Sequence, residues 1–278
     1  MHHKQSVFKT RRSYNKWVGN QTLEDFSLRF TAKKSRKLSI THVGQTALGA
    51  SAFMALEALS AAATFQYGFI NTLFAMLTVA AAILLTGVPI AYHSARNGLD
   101  IDLLTRGAGF GYLGSTVTSL VYATFTFIFF SIEAAILASA LKALFHIPLA
   151  IGYVICVVVV IPIVTHGITT ISRFQVGTQP FWLTMQCTAL IVVVYNEYSN
   201  IPDWIAFTPQ AHPAGGSFNL ALFGACSAIF FALIAQIGEQ VDYLRFLPQK
   251  TPDNRKQWWF WMLFSGPGWI FIGLIKML

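Results

Sequence analysis

The stretch FTFIFFSIEAAIL, residues 125–137, is apolar enough for the interior of a bilayer, yet it carries one carboxylate, Glu133. It lies inside a longer apolar run at residues 113–141. About 20 apolar helical residues, each rising 1.5 Å, cross a hydrocarbon layer of roughly 30 Å. Runs of this kind can be placed at residues 43–65, 69–92, 113–141, 149–164, 177–195, 218–237 and 258–278, which we number as spans one to seven. The sequence therefore predicts an all-α integral membrane protein with about seven transmembrane helices.

Composition agrees with a membrane location, because 55% of the 278 residues are hydrophobic and only 11% are charged. About forty polar and basic residues precede the first span, whereas a cleaved signal peptide has its apolar region near the start. We expect residues 1–42 to form a cytoplasmic N-terminal segment and residues 43–278 to form the transmembrane domain.

Within the N-terminal segment, Thr22 can cap a short amphipathic helix on the membrane surface. The apolar face of that helix would consist of Leu23, Phe26 and Phe30.

The net charge of +8 could indicate a nucleic-acid partner, so the distribution of the basic residues has to be considered. Ten of the 19 Lys and Arg residues lie within the first 41 positions. If the N-terminus is cytoplasmic, seven spans place seventeen of the nineteen in cytoplasmic segments, which obeys the positive-inside rule. Only Lys142 and Lys276 remain near the outer ends. The basic charge therefore orients the protein, and no nucleic-acid partner is expected.

Short motifs give no support for a catalytic or metal site. Gly109, Gly111 and Gly114 spell GxGxxG, but a dinucleotide fingerprint requires a preceding buried strand within a βαβ unit. Here the glycines join two spans, and we expect a tight cytoplasmic loop. No HExxH, CxxC or GxSxG motif occurs. The cysteines lie in apolar segments and are expected to be buried thiols: Cys156, Cys187 and Cys226.

The first and sixth spans contain glycines and small polar residues that a lipid-facing helix does not need, for example Gly49, Ser51 and Gly238. Such residues allow close packing between helices. They also allow a helix to unwind where its backbone lines a cavity, as in transporters with broken helices. The sequence leaves both interpretations open. In the fifth span, Pro180 removes a backbone hydrogen bond and should kink the helix or delay its start.

Two acidic residues, Glu57 and Glu133, sit well inside predicted spans, and Glu239 lies near the inner end of the sixth. An ionised carboxylate at mid-bilayer costs about 3 kcal/mol on insertion scales, so it should face protein or a water-filled cavity. Phe129 precedes Glu133 by four residues and shares its helix face. This pair suits a flat polar heterocycle or a small amide. The structural alternative is a protonated Glu133 hydrogen bonded to a neighbouring helix, and for Glu57 both kinds of role stay open.

Three features carry a resemblance to a known family. After the sixth span, DYLRFLPQKT (242–251) has the pattern of Asp, an aromatic, two variable residues, a second aromatic and a polar tail. The loop RNGLDIDLLTRGAGFGYLGS (96–115) resembles the sequence that precedes the third helix of the family. Phe129 and Glu133 fall where the family has an aromatic and an amide that contact a nucleobase. Together these features resemble the purine-cytosine permeases of the nucleobase:cation symporter-1 class.

The resemblance implies the leucine-transporter type of fold, an inverted repeat of five and five helices in which helices one and six are broken at the substrate site. Two backbone regions would then flank the ligand opposite Phe129 and Glu133. They are the first-span region with Gly49 and Ser51 and the sixth-span region from Phe230 to Gln236. Many relatives have Trp and an amide at the two helix-three positions, so an acid here favours a basic ligand or proton coupling. No cofactor is implied beyond Na⁺ or H⁺ as coupling ion, with Glu57 and Glu133 as candidate coupling groups.

The chain ends with the seventh span, whereas the inverted repeat needs ten helices, so we expect an incomplete, N-terminal part of this fold. The segments YNKWVGNQTLEDFSLRFTAKKSRK (14–37) and THGITTISRFQ (165–175) also resemble the permease-like membrane domain of bacterial hybrid sensor histidine kinases. The implied location is the bacterial inner (plasma) membrane, with several passes and a cytoplasmic N-terminus.

Two functions follow from the resemblance. The first is cation-coupled transport of a small nucleobase-like or polar nitrogenous solute bound at mid-membrane. The alternative is a ligand-sensing input domain of a membrane-bound hybrid sensor histidine kinase, with a cytoplasmic kinase following in a longer chain. A small-molecule solute and the lipid bilayer are the expected partners in both. A membrane enzyme using Glu57, Glu133 or His166 has no supporting residue spacing, and no catalytic site is predicted.

Overall fold

The structure is a computed structural model that describes residues 30–277. The described residues form helices and connecting turns and contain no β-strand. Six helical segments are long and apolar enough to cross a membrane. The molecule is therefore an all-α, multi-pass membrane protein. The predicted surface helix that begins near Thr22 lies outside the described residues, apart from Phe30 at its end.

Each predicted span has a helical counterpart. In chain order the helices are α1 (Ile40–Gly49), α2 (Ala55–Tyr67), α3 (Phe69–Asn97), α4 (Ile101–Thr105), α5 (Gly111–Phe145), α6 (Leu149–Thr165), α7 (Ile168–Glu197), α8 (Ile201–Ile205), α9 (Leu220–Phe231), α10 (Gln236–Leu244), α11 (Arg255–Ser265) and α12 (Trp269–Met277). Three spans are divided between two helices: the first between α1 and α2, the sixth between α9 and α10, and the seventh between α11 and α12. The fourth, α6, is apolar but has only 17 residues, about 25 Å of helix, and is not among the six long segments.

The hydrophobic core lies among the first, second, sixth and seventh spans, which we call the bundle. One cluster of buried side chains joins α2, α3, α9 and α12 around the fully buried Phe230 and Trp269. A second joins α1, α10, α11 and the end of α3 around Trp258 and Met262. Helices α5, α6 and α7, which we call the flanking helices, bury few residues and expose long apolar surfaces. Helices that are apolar all round are typical of membrane spans.

Polar contacts identify one end of the molecule, which we call the Arg36 face. The Arg36 guanidinium donates to the carbonyl oxygens of Thr31, Ala95 and Leu247, at 3.1, 3.1 and 3.3 Å. It ties the segment before α1 to the ends of α3 and the sixth span. Arg245 and Asp100 form a buried ion pair at the same end, at 3.3 Å. The described Lys and Arg residues lie at or near this face, with two exceptions, Lys142 and Lys276.

At the opposite face, Asn71 fixes the connection between α8 and α9. Its Nδ2 donates to the carbonyl oxygens of Gly215 and Ser217, at 3.4 and 3.0 Å, and its Oδ1 accepts from the Asn219 N–H at 2.8 Å. Gly68 begins the turn beside it with φ +85°, a conformation that favours glycine. A side chain at Gly68 would also collide with the Gly215 carbonyl. The loop is therefore held close to the end of the bundle.

Replacing Asn71 with alanine should lower the free energy of unfolding by about 2 kcal/mol, because one buried and two partly buried backbone groups lose their partner. The matched control is Asn200→Ala, whose amide donates to the exposed Glu197. Thermal unfolding in detergent and protease cleavage within residues 206–219 measure the effect. Equal stability and equal cleavage of the two variants would contradict this account of the loop.

Three expectations from the sequence need correction. Lys276 is not at an outer end: its side chain is only 3% exposed and turns into the bundle, because helical side chains lean towards the N-terminus of their helix. Cys187 is exposed, since α7 packs on the bundle with its other side, whereas Cys156 and Cys226 are buried as predicted. Of the two effects predicted for Pro180, a delayed start of the fifth span is wrong, because α7 begins at Ile168 and continues through Pro180.

The glycine-rich connection between the second and third spans contains α4 and a tight turn. Gly109 and Gly111 have φ values of +109° and +64°, which side chains rarely adopt. The expected tight loop is therefore present, and in the described residues the preceding element is a helix and no strand. A dinucleotide site has no basis here.

Candidate functional site

The three divided spans are interrupted near their middles. Between α1 and α2 the backbone makes a 3₁₀ turn at Ala50–Ala52 and is extended at Phe53, with φ −63° and ψ 148°. The sixth span has a 3₁₀ turn at Ala232–Ala235. In the seventh, the sequence Gly-Pro-Gly at 266–268 separates α11 from α12.

Both interpretations of the small residues in the first and sixth spans hold in the structure. Ser51 lies in the interruption of the first span. Gly49 and Gly238 allow close packing, because added Cβ atoms there would lie 2.8 Å from Gln175 and 2.9 Å from Tyr122 of the flanking helices.

Glu133 of α5 binds the first-span interruption from the flanking side. The backbone N–H of Ala55, the first residue of α2, donates to Glu133 Oε1 at 2.6 Å. No neighbouring side chain along the chain caps α2, so α5 supplies the acceptor. Negative charge is favourable at this end of a helix. The hydrogen bond to a neighbouring helix that the structural alternative predicted is present, and the same side chain also lines a cavity.

A cavity of about 190 Å³ lies where the interruptions of the first and sixth spans approach α5. Its apolar wall is formed by phenyl rings: Phe53, Phe125, Phe129 and Phe130. The centroid of Phe129 lies 4.4 Å from that of Phe125 and 5.9 Å from that of Phe53, which it meets edge to face. The polar lining consists of Thr126, Glu133, Gln236 and Glu239. Among the described residues no Lys or Arg lines this cavity.

Two polar side chains of α10 form the sixth-span side of the cavity. Gln236 Nε2 donates to Glu239 Oε2 at 2.7 Å, and the Tyr243 hydroxyl donates to Glu239 Oε1 at 3.3 Å. Glu239 was predicted only as an acid near the inner end of the span. Its spacing of three from Gln236 places both on one helix face, and this signal could have included it in the site.

A larger cleft of about 810 Å³ adjoins the cavity, between α1 and α10 of the bundle and the flanking helices. Thr126 and Glu239 line both spaces. The cleft extends to Ile168 and Phe246, which lie at the Arg36 face. The cleft therefore runs from beside the cavity to that face.

The six residues predicted to bind substrate are only partly brought together. Phe129, Glu133 and Gln236 line the cavity. Gly49 lines the adjoining cleft, where α1 passes so close to α7 that a Cβ at Gly49 would lie 2.8 Å from Cβ of Gln175.

Ser51 and Phe230 do not line the cavity. The Ser51 hydroxyl is fully buried and donates to the Leu48 carbonyl at 2.6 Å. Phe230 is fully buried in the hydrophobic cluster of the bundle. Both lie in the predicted backbone regions, but their side chains point away from the cavity. Three aromatic residues of the cavity were not predicted, because an apolar run gives no local reason to select them: Phe53, Phe125 and Phe130.

A second polar cluster lies behind Phe53. Lys276 Nζ pairs with Glu57 Oε1 at 3.2 Å and donates to the carbonyl oxygens of Ser51 and Phe53, at 3.1 and 2.6 Å. Gln186 of α7 donates to the same Glu57 oxygen at 3.0 Å. Glu57, a candidate coupling group, is therefore ion-paired and does not line the cavity. The sequence analysis did not include Lys276 in the site, because a lysine near the end of a span usually lies at the membrane surface.

Comparison of the chain with models of known protein families, with curated protein sequences and with solved structures finds no match. The chemistry of the site is therefore the basis for assigning a function. In the described residues no group of three His, Cys, Asp or Glu side chains is placed to hold a metal ion. The cavity offers carboxyl oxygens that accept hydrogen bonds and phenyl rings that stack, which suits reversible binding of a small polar ring.

Proposed function

We propose that the chain is a permease-like membrane domain that binds a small nitrogen heterocycle near mid-membrane for cation-coupled transport. The observation that carries this proposal is the cavity between the two interrupted spans and α5, lined by Glu133 and Phe129. Broken helices beside a polar cavity are typical of secondary transporters. The proposal includes the leucine-transporter type of fold, of which the described spans would be the N-terminal part. Transport would move the bundle against the flanking helices.

The lining of the cavity defines the chemistry of the ligand. Two carboxyl groups and one amide face it, from Glu133, Glu239 and Gln236. Ring N–H groups and exocyclic amines donate to such acceptors, as the amino group of cytosine does to Glu or Asp. Phe125 and Phe129 supply aromatic surface for a flat ring. The ligand would therefore be a flat heterocycle rich in N–H donors, and a positive charge would be favourable.

The volume of the cavity limits the size of this ligand. An engineered cavity of about 150 Å³ in another protein is enough for one benzene molecule. About 190 Å³ therefore accommodates one ring with small substituents. A two-ring purine would require the cavity to widen into the adjoining cleft.

The proposed orientation follows from charge. The Arg36 face carries nearly all the described Lys and Arg residues, so it would be the cytoplasmic side under the positive-inside rule. In the bacterial inner membrane this places the N-terminus inside. Because the cleft extends to the Arg36 face, the described conformation would be open towards the cytoplasm.

We expect an aminopyrimidine such as cytosine to bind at least about 10-fold more tightly than a two-ring purine such as adenine, because only the one-ring compound fits the cavity without widening it.

Phe129→Ala should weaken cytosine binding by about 10-fold, since stacking of one base on an aromatic ring contributes about 1–3 kcal/mol. Phe127→Ala is the matched control, on the same helix but 70% exposed. Calorimetry in detergent measures affinity, and uptake into liposomes measures transport.

Two results would count against this function. If no one-ring heterocycle binds, the proposed ligand class is wrong. If the Phe129 and Phe127 variants bind cytosine with equal affinity, the ligand does not bind in this cavity. Binding without uptake by a protein that carries all ten helices of the proposed fold would instead favour the ligand-sensing alternative over transport.

A further inference from the structure

The interruption of the first span turns backbone carbonyl groups towards the seventh span. The carbonyls of Ser51 and Phe53 accept hydrogen bonds from Lys276 Nζ, at 3.1 and 2.6 Å. Carbonyl groups at the C-terminal end of a half helix carry partial negative charge. In transporters with broken helices, such carbonyls coordinate the coupling cation. In this chain a side-chain ammonium group takes that position.

The surroundings of the ammonium group are those of a bound monovalent cation. An ammonium has three donors, and Lys276 has three oxygen partners, the two carbonyls and Glu57 Oε1 at 3.2 Å. Its Nζ also lies 5.9 Å from the centroid of the Phe53 ring, within the range of a cation–π interaction. The Lys276 side chain is 3% exposed, so these groups replace its hydration.

An added alkali-metal ion does not fit the same oxygens. Two like charges a few ångströms apart repel strongly in a poorly polar interior. The ion would have to displace an ammonium group that the chain itself keeps at high effective concentration. The carbonyls of Ser51 and Phe53 are therefore already occupied by a cation.

Phe53 connects this cation to the ligand cavity. Its carbonyl accepts from Lys276, while its ring lines the cavity against Phe129. Two residues later, the N–H of Ala55 donates to Glu133. Lys276 thus binds the carbonyl side of the interruption and Glu133 binds the amide side. Side chains of two other spans therefore hold both sides of the backbone interruption beside the cavity.

We infer that Lys276 is a built-in cation of the broken first span, standing where a cation-coupled permease would bind an alkali-metal ion. This inference deepens the proposed function, on which it rests for the expectation of a coupled cation. It predicts that the wild-type site needs no sodium to keep its shape. It also predicts that removal of the ammonium group creates a site that accepts an added cation.

The test uses the full chain in detergent without any heterocycle, with Tm followed by tryptophan fluorescence. Trp269 is a suitable reporter, because it is fully buried and its ring centroid lies 6.4 Å from that of Phe53. Sodium chloride is compared with choline chloride at equal ionic strength. We expect no sodium-specific shift in the wild type. Lys276→Ala should lower Tm by about 10 °C, and sodium or n-propylammonium, which replaces the atoms removed, should restore about half of the loss.

Lys276→Gln is the second variant, which keeps hydrogen-bond donors without the charge and should also gain sensitivity to sodium. Lys142→Ala, at an exposed position, is the control and should respond like the wild type. A sodium-specific rise of Tm in the wild type would overturn the inference. So would Lys276 variants that neither sodium nor n-propylammonium stabilises. The Tm measurements contain no heterocycle, so their outcome does not depend on heterocycle binding or uptake. The inference on Lys276 and the proposed transport function can therefore be refuted independently.

Discussion

Replacing Glu133 with glutamine is expected to weaken binding of a one-ring heterocycle by about 100-fold, which corresponds to about 2.7 kcal/mol. The carboxylate faces the cavity and would accept charge-assisted hydrogen bonds from ligand N–H groups. Hydrogen bonds to charged groups contribute about 1.5–3 kcal/mol each, and an amide cannot replace a carboxylate fully. Affinity of the purified variant for cytosine, measured by calorimetry, gives the value directly.

The stability of the same variant separates binding from folding. A glutamine oxygen can still accept from the Ala55 N–H, so the free energy of unfolding should fall by no more than about 1 kcal/mol. Glu197→Gln is the matched control, because this acid is exposed at the end of α7 and contacts Asn200. If Glu133→Gln keeps the affinity of the wild type, the ligand lies elsewhere.

Replacing Gly49 with leucine should destabilise the protein by about 3 kcal/mol. A Cβ at this position would lie 2.8 Å from Cβ of Gln175 on α7, and the rest of a leucine side chain would push α1 from the flanking helices. Gly49 also lines the cleft that adjoins the cavity, so a leucine side chain should narrow this cleft as well.

Gly224→Leu is the control, because a Cβ there has no neighbour within 4 Å. Its effect on stability should stay below about 0.5 kcal/mol. Thermal unfolding of both variants in the same detergent gives the comparison. A Gly49 variant as stable as the Gly224 variant would mean that α1 and α7 do not approach so closely.

The positions of the spans could be predicted because the length of an apolar run reports the thickness of the bilayer. The interruption of the first span could not be predicted in this way. Its residues, Gly-Ala-Ser-Ala at 49–52, include two alanines, and alanine is the strongest helix former. The freed backbone groups are bound by Lys276 and Glu133, which come from remote spans. Only tertiary contacts fix this interruption.

The seventh span shows the opposite case. Gly-Pro-Gly at 266–268 is a local signal for an interruption, because proline lacks an N–H and clashes with the preceding turn. This signal lies between apolar residues, so the apolar run at 258–278 predicted one continuous span. Here the chain itself carries the information, and proline and glycine outweigh hydropathy.

Helix spacing predicted two residues of the candidate site, and the resemblance added Gln236 of α10, which also lines the cavity. Phe129 and Glu133 lie four residues apart on α5, and both line the cavity. The side chains of Ser51 and Phe230 do not line the cavity, because the resemblance indicates a backbone region and not the direction of a side chain. Lys276 and Glu57 pair across more than two hundred residues, and no local pattern reports such a pair.

The uneven exposure of the three thiols has a practical consequence for spectroscopy. Cys156 and Cys226 are buried, and Cys187 lies on the apolar surface within the α7 span, which would face lipid, so the unmodified protein should react only slowly with a water-soluble maleimide. Two cysteines introduced near helix ends, at Phe65 of α2 and Tyr195 of α7, which are 71% and 84% exposed, would therefore form a selective probe pair. Interprobe distances could then follow the bundle relative to the flanking helices through a reaction cycle, with every native cysteine left in place.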